Sequence, residues 1–404
     1  MSWLPVSRDS DFPIQNLPYG VFGRPGELHR VGVAIGDQVL DVAALAMAGA
    51  LEYPECFVAR SLNTFLAAGR SVWQQTRQRL VQLLDDGGAR PSVEPYLVPM
   101  ADVLLHMPFE IGDYVDFYSS IEHATNVGQI LRPDGEPLPP NWRHLPIGYH
   151  GRAGSVVVSG TPIVRPTGQR KIGKASLPTH GQSQRLDIEA EVGFVVGTPT
   201  SLGSPVAAAD YADHVFGVVL VNDWSARDLQ VWEGQPLGPF LSKSFATSVS
   251  PWVVPLEALE YARVDGPAQD PSPLPYLRRG ERAGLDIALK VSLNGTVISR
   301  PPFAGMYWTA DQQLAHLTVN GAPLRTGDLF ASGTVSGPQV DQRGSLIELT
   351  WDGDQPLALP DGVIRTYLED GDVVSIRGSA PGVNGTTIGF GEVTGQILPA
   401  RGSR

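Results

Sequence analysis

The stretch LDIEAEVGFVVG, residues 186–197, decides the fold class. Asp187, Glu189 and Glu191 alternate with Ile188, Ala190 and Val192 before the run closes on Gly193-Phe194-Val195-Val196-Gly197, the period-two pattern of a β-strand. Residues two apart on a strand are separated by roughly 6.8 Å, so Glu189 and Glu191 share a face and both can reach one cation. The other reading is the solvated face of a half-exposed strand. Further on, the apolar run Val215, Phe216, Val218, Val219, Leu220 and Val221 reads as a buried strand ending at Asn222-Asp223, and Trp224 to Gln230 reads as a helical turn. Asp223 is then either the N-cap of that turn or a ligand at a strand end.

Around these strands the chain is rich in turn residues. Its 45 Gly and 35 Pro make up about a fifth of 404 residues, while 42% are hydrophobic. That combination excludes a disordered or collagen-like chain and argues against a long helical bundle, leaving a mainly β protein with few helices. A formal net charge of -12 repels phosphate backbones and anionic membrane surfaces, so no nucleic-acid or membrane partner is expected. Cys56 is the only cysteine, which rules out an intrachain disulfide and a Cys-based zinc site and suits a reducing cytoplasm. Asp9 and Asp11 stand where a signal peptide would have its apolar run.

Leu28 to Leu45 reads as a β-hairpin turning at Gly36-Asp37. Ser71 is placed to cap a helix whose apolar residues Val72, Thr76, Leu80, Leu83 and Leu84 recur at helical spacing up to Gly87-Gly88. The first hundred or so residues thus form a small mixed domain. After His106-Met107-Pro108 short apolar runs bounded by Gly and Pro continue to the C-terminus, as in a large β domain. Arg132 to Gly154, with five prolines and Asn141-Trp142-Arg143-His144, reads as a long ordered loop, and Pro255 to Arg282 as a second Pro-rich excursion.

A third acidic patch, Gly112-Asp113-Tyr114-Val115-Asp116-Phe117-Tyr118, leads through Ser119-Ser120 into Ile121-Glu122-His123. Its aspartates are either hydrogen-bonded loop residues or ligands. Four acids converging on one point require a cation, because like charges in contact otherwise raise each other's pKa and neutralise. All-oxygen ligation points to Ca²⁺ or Mg²⁺. His123 is either structural or catalytic. Lys243, in the apolar and small setting Pro239 to Thr247, either snorkels or is deliberately buried.

Six segments together, IGDYVDFYSSIEHATNVG (111–128), LPIGYHGRAGSVVVSGTPI (145–163), LDIEAEVGFVVG (186–197), VNDWSARDLQVWE (221–233), PLGPFLSKSFATSVSPWVVP (236–255) and ASGTVSG (331–337), closely resemble the fumarylacetoacetase family. The likeness runs through nearly the whole chain in the same order. It implies an SH3-like N-terminal domain over residues 1–108, a C-terminal catalytic β-roll domain over 109–404, and a homodimer. It further implies a catalytic cation on Asp116, Glu189, Glu191 and Asp223, with His123 as the base and Glu348 orienting it. Arg227, Gln230 and Lys243 match the polar groups around the scissile carbonyl, and Tyr118, Arg132, Tyr149 and Thr334 match substrate contacts. Lys243, through its backbone carbonyl, and Thr247 match positions of a second, structural Mg²⁺. The implied reaction is hydrolysis of a small β-diketo acid, fumarylacetoacetate, to fumarate and acetoacetate, the last step of tyrosine and phenylalanine catabolism.

One position departs from the family pattern. Trp232-Glu233 is followed by Gly234, where the family has Tyr, so an aromatic hydroxyl toward the substrate is missing. A lost hydrogen bond to a charged group costs about 1.5–3 kcal/mol, which alters substrate range more than reaction type. The rivals are another enzyme of the superfamily, an acylpyruvate hydrolase or a 2-oxo acid decarboxylase, and a catalytically dead Ca²⁺-binding scaffold.

Overall fold

A computed structural model describes residues 2–7, 9–171, 177–360 and 362–402. The strands Ala190–Val196 and Val215–Asp223 pair antiparallel, Glu191 opposite Val221, at the centre of a 13-stranded sheet among the described residues. Both faces of this pair are covered. Val192, Phe194, Val218 and Leu220 point into one core with Ile376 and Val393 of a second, five-stranded sheet. Val195, Val219 and Val221 point into another core with Leu66, Leu80 and Leu84 of the N-terminal segment. Double burial is why Val215 to Val221 reads as an unbroken apolar run.

The sheet is rolled. Val215–Asp223 and Gly148–His150 are four strand spacings apart in its order, ~19 Å if it were flat. Yet Tyr149 Oη donates to Asp223 Oδ2 at 3.1 Å. The parallel pair Val156–Val158 and Thr247–Val249 lies on the closing side, the latter strand hydrogen-bonded to Val215–Asp223. Curling brings the ends of non-adjacent strands together.

The expected N-terminal hairpin is present as Arg30–Ile35 and Gln38–Asp41, turning at Gly36-Asp37. Its neighbour Tyr19–Gly23 pairs with Trp252–Pro255, so the N-terminal strands join the main sheet by backbone hydrogen bonds. The expected helix runs Arg70–Asp85 and buries Thr76, Leu80, Leu83 and Leu84, with Trp73 added. Ser71 is not its cap. Gly69 holds that position, and Ser71 Oγ accepts from Gln75 Nε2 one turn on.

The Pro-rich stretch after Arg132 is ordered by its aromatics. Trp142 is fully buried with Ala124, Leu277 and Trp308, and its Nε1 donates to Tyr118 O at 2.9 Å. The second excursion supplies Leu277 to the same cluster. From Ile121 the acidic patch runs into a helix that the sequence does not announce, Ile121–Leu131, with Ser120 accepting from His123 N. Gly128 on this helix lets the loop approach: a Cβ there would stand 2.0 Å from Pro137 O.

Gly128→Ala therefore has two opposed effects. Alanine gains ~1 kcal/mol of helix propensity, whereas forcing backbone away in a packed site costs 1–3 kcal/mol or more. At 2.0 Å the clash wins. The variant is expected to lose about 2 kcal/mol in urea unfolding, where an exposed helical glycine would gain stability.

Candidate active site

Three strand ends deliver the four acids of the site. Asp116 lies on Tyr114–Phe117, opposite Tyr149 on one side and Ala331 on the other. Glu189 precedes Ala190–Val196, Glu191 lies on it, and Asp223 ends the central strand opposite Thr247. One oxygen of each of Asp116, Glu189, Glu191 and Asp223 lies within 4.8 Å of the others, all four residues buried. Asp223 does not cap the following helix, Arg227–Glu233, which starts after Ala226 without a side-chain cap. Asp113 takes the other reading open to its patch: it accepts from Tyr114 N at 2.8 Å and faces His150 at 3.4 Å.

Two buried cations lean on one side of this cluster. Lys243 Nζ donates to Glu189 and to Asp223 Oδ2, so Lys243 is buried rather than snorkelling. Arg227 Nη1 meets Glu189 Oε1 at 2.8 Å, and its Nε donates to Asp187 Oδ2 at 2.8 Å. Burial opposes the charge on Lys243, but Asp223 and Glu189 hold its pKa above the ordinary lysine value. Burial likewise works to raise Glu189, and Lys243, Arg227 and His123 overcome it, keeping that carboxyl below its usual range.

The far side has no cation in contact among the described residues. Burial, then Asp223, pushes Asp116 well above the carboxylate range, and burial, then Asp116, does the same to Glu191. Asp116 Oδ1 and both oxygens of Glu191 are buried without a hydrogen-bond partner. Orphaned carboxylate oxygens converging with no donor among them form a donor set that fits a hard divalent cation.

Beside the cluster, His123 Nδ1 and Glu348 Oε2 are 2.6 Å apart, and His123 Nε2 faces Glu189 Oε1 at 3.9 Å. Three further groups hold Glu348: Asn126 Nδ2 donates at 2.9 Å, Ser336 Oγ at 3.0 Å and Ser345 Oγ at 2.7 Å. Burial would raise Glu348, and His123 with these donors keeps it below its ordinary value. None of the three was legible as a site residue, although Asn126 stands one helical turn after His123 on the same face. Asp187 was missed as well. It accepts from Ile188 N and Leu346 N on Oδ1, and from Ile347 N and Arg227 on Oδ2.

Other expected residues sit around this centre. Gln230 Oε1 accepts from Arg227 Nη1 at 3.1 Å, and Thr247 Oγ1 donates to Asp223 Oδ1 at 3.2 Å. The Tyr118 ring stands edge-on to His123, centroids 5.4 Å apart. Thr334 is buried with its Oγ1 unpartnered, behind a close approach at Gly333, where a Cβ would meet Phe117 O at 2.1 Å. Arg132 lies furthest out. It is exposed at the helix C-terminus, donating to Pro137 O, and its charge reaches Tyr118.

Two family models match the chain: Fumarylacetoacetase N-terminal over residues 15–108, and Fumarylacetoacetate (FAA) hydrolase C-terminal over 114–398. The chain is 49% identical over 416 residues to a fumarylacetoacetase of Homo sapiens, covering 99% of both, and 47% identical over 422 residues to one of Arabidopsis thaliana, covering 99% of this chain and 98% of the other. In structure it is similar to a fumarylacetoacetate hydrolase from psychrophilic Exiguobacterium antarcticum, at TM-score 0.57 and 19% identity over 95% of this chain and 100% of the other. A maleylpyruvate hydrolase from Sphingobium shares the fold at TM-score 0.51 and 16% identity, covering 95% and 100%.

The orphaned oxygens generate a test that needs no turnover. Chelator-stripped protein given Ca²⁺ or Mg²⁺ at a hundredfold excess over Kd gains about 2.7 kcal/mol, a rise in Tm readable by calorimetry. Glu191→Gln is expected to lose most of that rise. An equal rise in the variant means the ion binds elsewhere.

Proposed function

The chain belongs to the fumarylacetoacetase family, and from that membership we propose how its residues carry out the family's reaction. The enzyme is a hydrolase acting on the carbon-carbon bond of a β-diketone, converting fumarylacetoacetate and water to fumarate and acetoacetate in tyrosine catabolism. The observation that carries the residue assignment is the His123 and Glu348 pair, set with Nε2 toward the acid cluster.

With Glu348 accepting from Nδ1–H, Nε2 is left as the bare acceptor, the tautomer a general base needs. His123 takes a proton from water, and the resulting hydroxide attacks the carbonyl next to the fumaryl group. Arg227, whose Nη2 is buried without a partner, and the protonated Lys243 offer donors to the oxyanion that forms, and Gln230 steadies Arg227. Collapse of that intermediate breaks the bond to the acetoacetate carbon, and the imidazolium returns its proton to the departing carbanion. Tyr118, Arg132, Tyr149 and Thr334 line the substrate. Asp116, Glu189, Glu191 and Asp223 would hold the cation, which supplies Lewis-acid stabilisation of the diketone oxygens and the enolate when bound.

The metal is Ca²⁺ or Mg²⁺, favoured by the all-oxygen donor set, and Thr247 with the Lys243 carbonyl belongs to a second, structural Mg²⁺, supported by the Thr247 contact to Asp223. Division at residue 108 into an SH3-like and a catalytic β-roll domain is supported by the ranges of the two family models. The enzyme acts as a cytoplasmic homodimer; no helix among the described residues is long and apolar enough to cross a membrane.

His123→Ala is expected to lower kcat by at least 10³-fold while the metal-dependent rise in Tm persists. Near-normal turnover in that variant contradicts the assignment. Asn126→Ala removes one hydrogen bond to a buried charge, worth about 1.5–3 kcal/mol, and is expected to lower kcat by 10- to 100-fold with KM little changed. A loss confined to KM would instead make Asn126 a substrate contact.

A further inference from the structure

A recess of ≈ 170 Å³ beside the cluster is lined by Tyr149, Gly151, Arg152, Phe240, Lys243 and Ser244. Tyr149 and Lys243 form its inner wall, since both donate to Asp223 Oδ2. Arg152 stands at its outer end, exposed, its guanidinium over the ring of Phe240 at 5.8 Å from the centroid.

The charges around the site explain why this arginine matters. Arg227 and Lys243 are already committed to Asp187, Glu189 and Asp223. A substrate with a carboxylate at each end approaches a strongly acidic cluster and needs other cations for its own charges. Two guanidinium groups beside the site have no carboxylate partner among the described residues. Arg132 stands on the Tyr118 and His123 side, and Arg152 on the Tyr149 and Lys243 side. Position 234 adds nothing there: Gly234 ends the helix Arg227–Glu233, one turn after Gln230, and has no side chain to reach inward.

We propose that Arg152 is a specificity-determining residue that binds one terminal carboxylate of a dianionic β-diketo acid at the mouth of the recess. This rests on the fumarylacetoacetase reading and deepens it. The guanidinium is already spread on an aromatic face, which limits the side-chain entropy lost on binding and leaves its N–H edge for a bidentate contact.

The test compares fumarylacetoacetate with acetylpyruvate, a β-diketo acid carrying one carboxylate, in the metal-loaded enzyme. Arg152→Gln is expected to raise KM for fumarylacetoacetate about tenfold, to change KM for acetylpyruvate less than twofold, and to flatten the rise of KM with salt that an exposed charge pair produces. Arg152→Lys is expected to recover part of the loss. An unchanged KM for the diacid, with the wild type active on it, overturns the role of Arg152 alone and makes it a solvated arginine resting on Phe240. Equal losses on both substrates overturn it in favour of a structural contact. A wild type that does not hydrolyse fumarylacetoacetate overturns the family reading and this inference together.

Discussion

Four carboxylates gathered within 4.8 Å inside a protein are the constraint around which the rest is built. Ionised and alone they repel one another and lose their hydration, so they persist only with compensating charge. Lys243 and Arg227 supply it on the Glu189 and Asp223 side. On the Asp116 and Glu191 side Lys243 acts only from a distance, and the orphaned oxygens there fit a cation. A strand-end location makes such a gathering possible. Each acid sits on a backbone already tied into the sheet, and the roll of that sheet, not local flexibility, carries Tyr149 to Asp223.

Asp187 links this cluster to the basic machinery. One oxygen receives the N–H groups of Ile188 and Leu346, the other those of Ile347 and Arg227. Leu346 and Ile347 open the short turn that carries Glu348. A single buried carboxylate therefore holds both the Arg227 guanidinium and the segment whose Glu348 contacts His123. Burial holds the Asp187 carboxyl above its ordinary value, and Arg227 opposes that shift. The pair acts as a joint between Arg227 and the segment that carries Glu348, which is a better use of a buried ion pair than stability, since such pairs often gain little against their desolvation.

Much of this was legible in the chain, in proportion to how strongly a residue's neighbours constrain its side chain. Period two puts Glu189 and Glu191 on one face and Asp223 ends a doubly buried apolar run, although the residues alone leave a solvated face and an N-cap open there. The hairpin at Gly36 and the helix face from Thr76 to Leu84 follow from turn chemistry and spacing. The helix Ile121–Leu131 was hidden because its buried face is His123, Ala124 and Gly128, small or polar residues that make no apolar stripe. With the helix unseen, the i, i+3 relation of His123 and Asn126 was unseen too. Asp113 and Asp116 look alike in sequence; only strand pairing to Tyr149 and Ala331 turns Asp116 inward.

Long-range backbone pairing leaves the least trace of all. The join of Tyr19–Gly23 to Trp252–Pro255 is read in neither segment, because a strand edge carries no mark of its partner. Its consequence is physical: the outer face of the central strands is covered by residues brought in through that join, including Leu80 and Leu84. Uncovered, Val195, Val219 and Val221 would expose an apolar surface on the same face as Glu191 and Asp223, next to them along the strands. The N-terminal segment contributes no group to the acid cluster among the described residues, yet it packs the rest of the face that carries Glu191 and Asp223 and so keeps the strands beneath those charges dry and rigid.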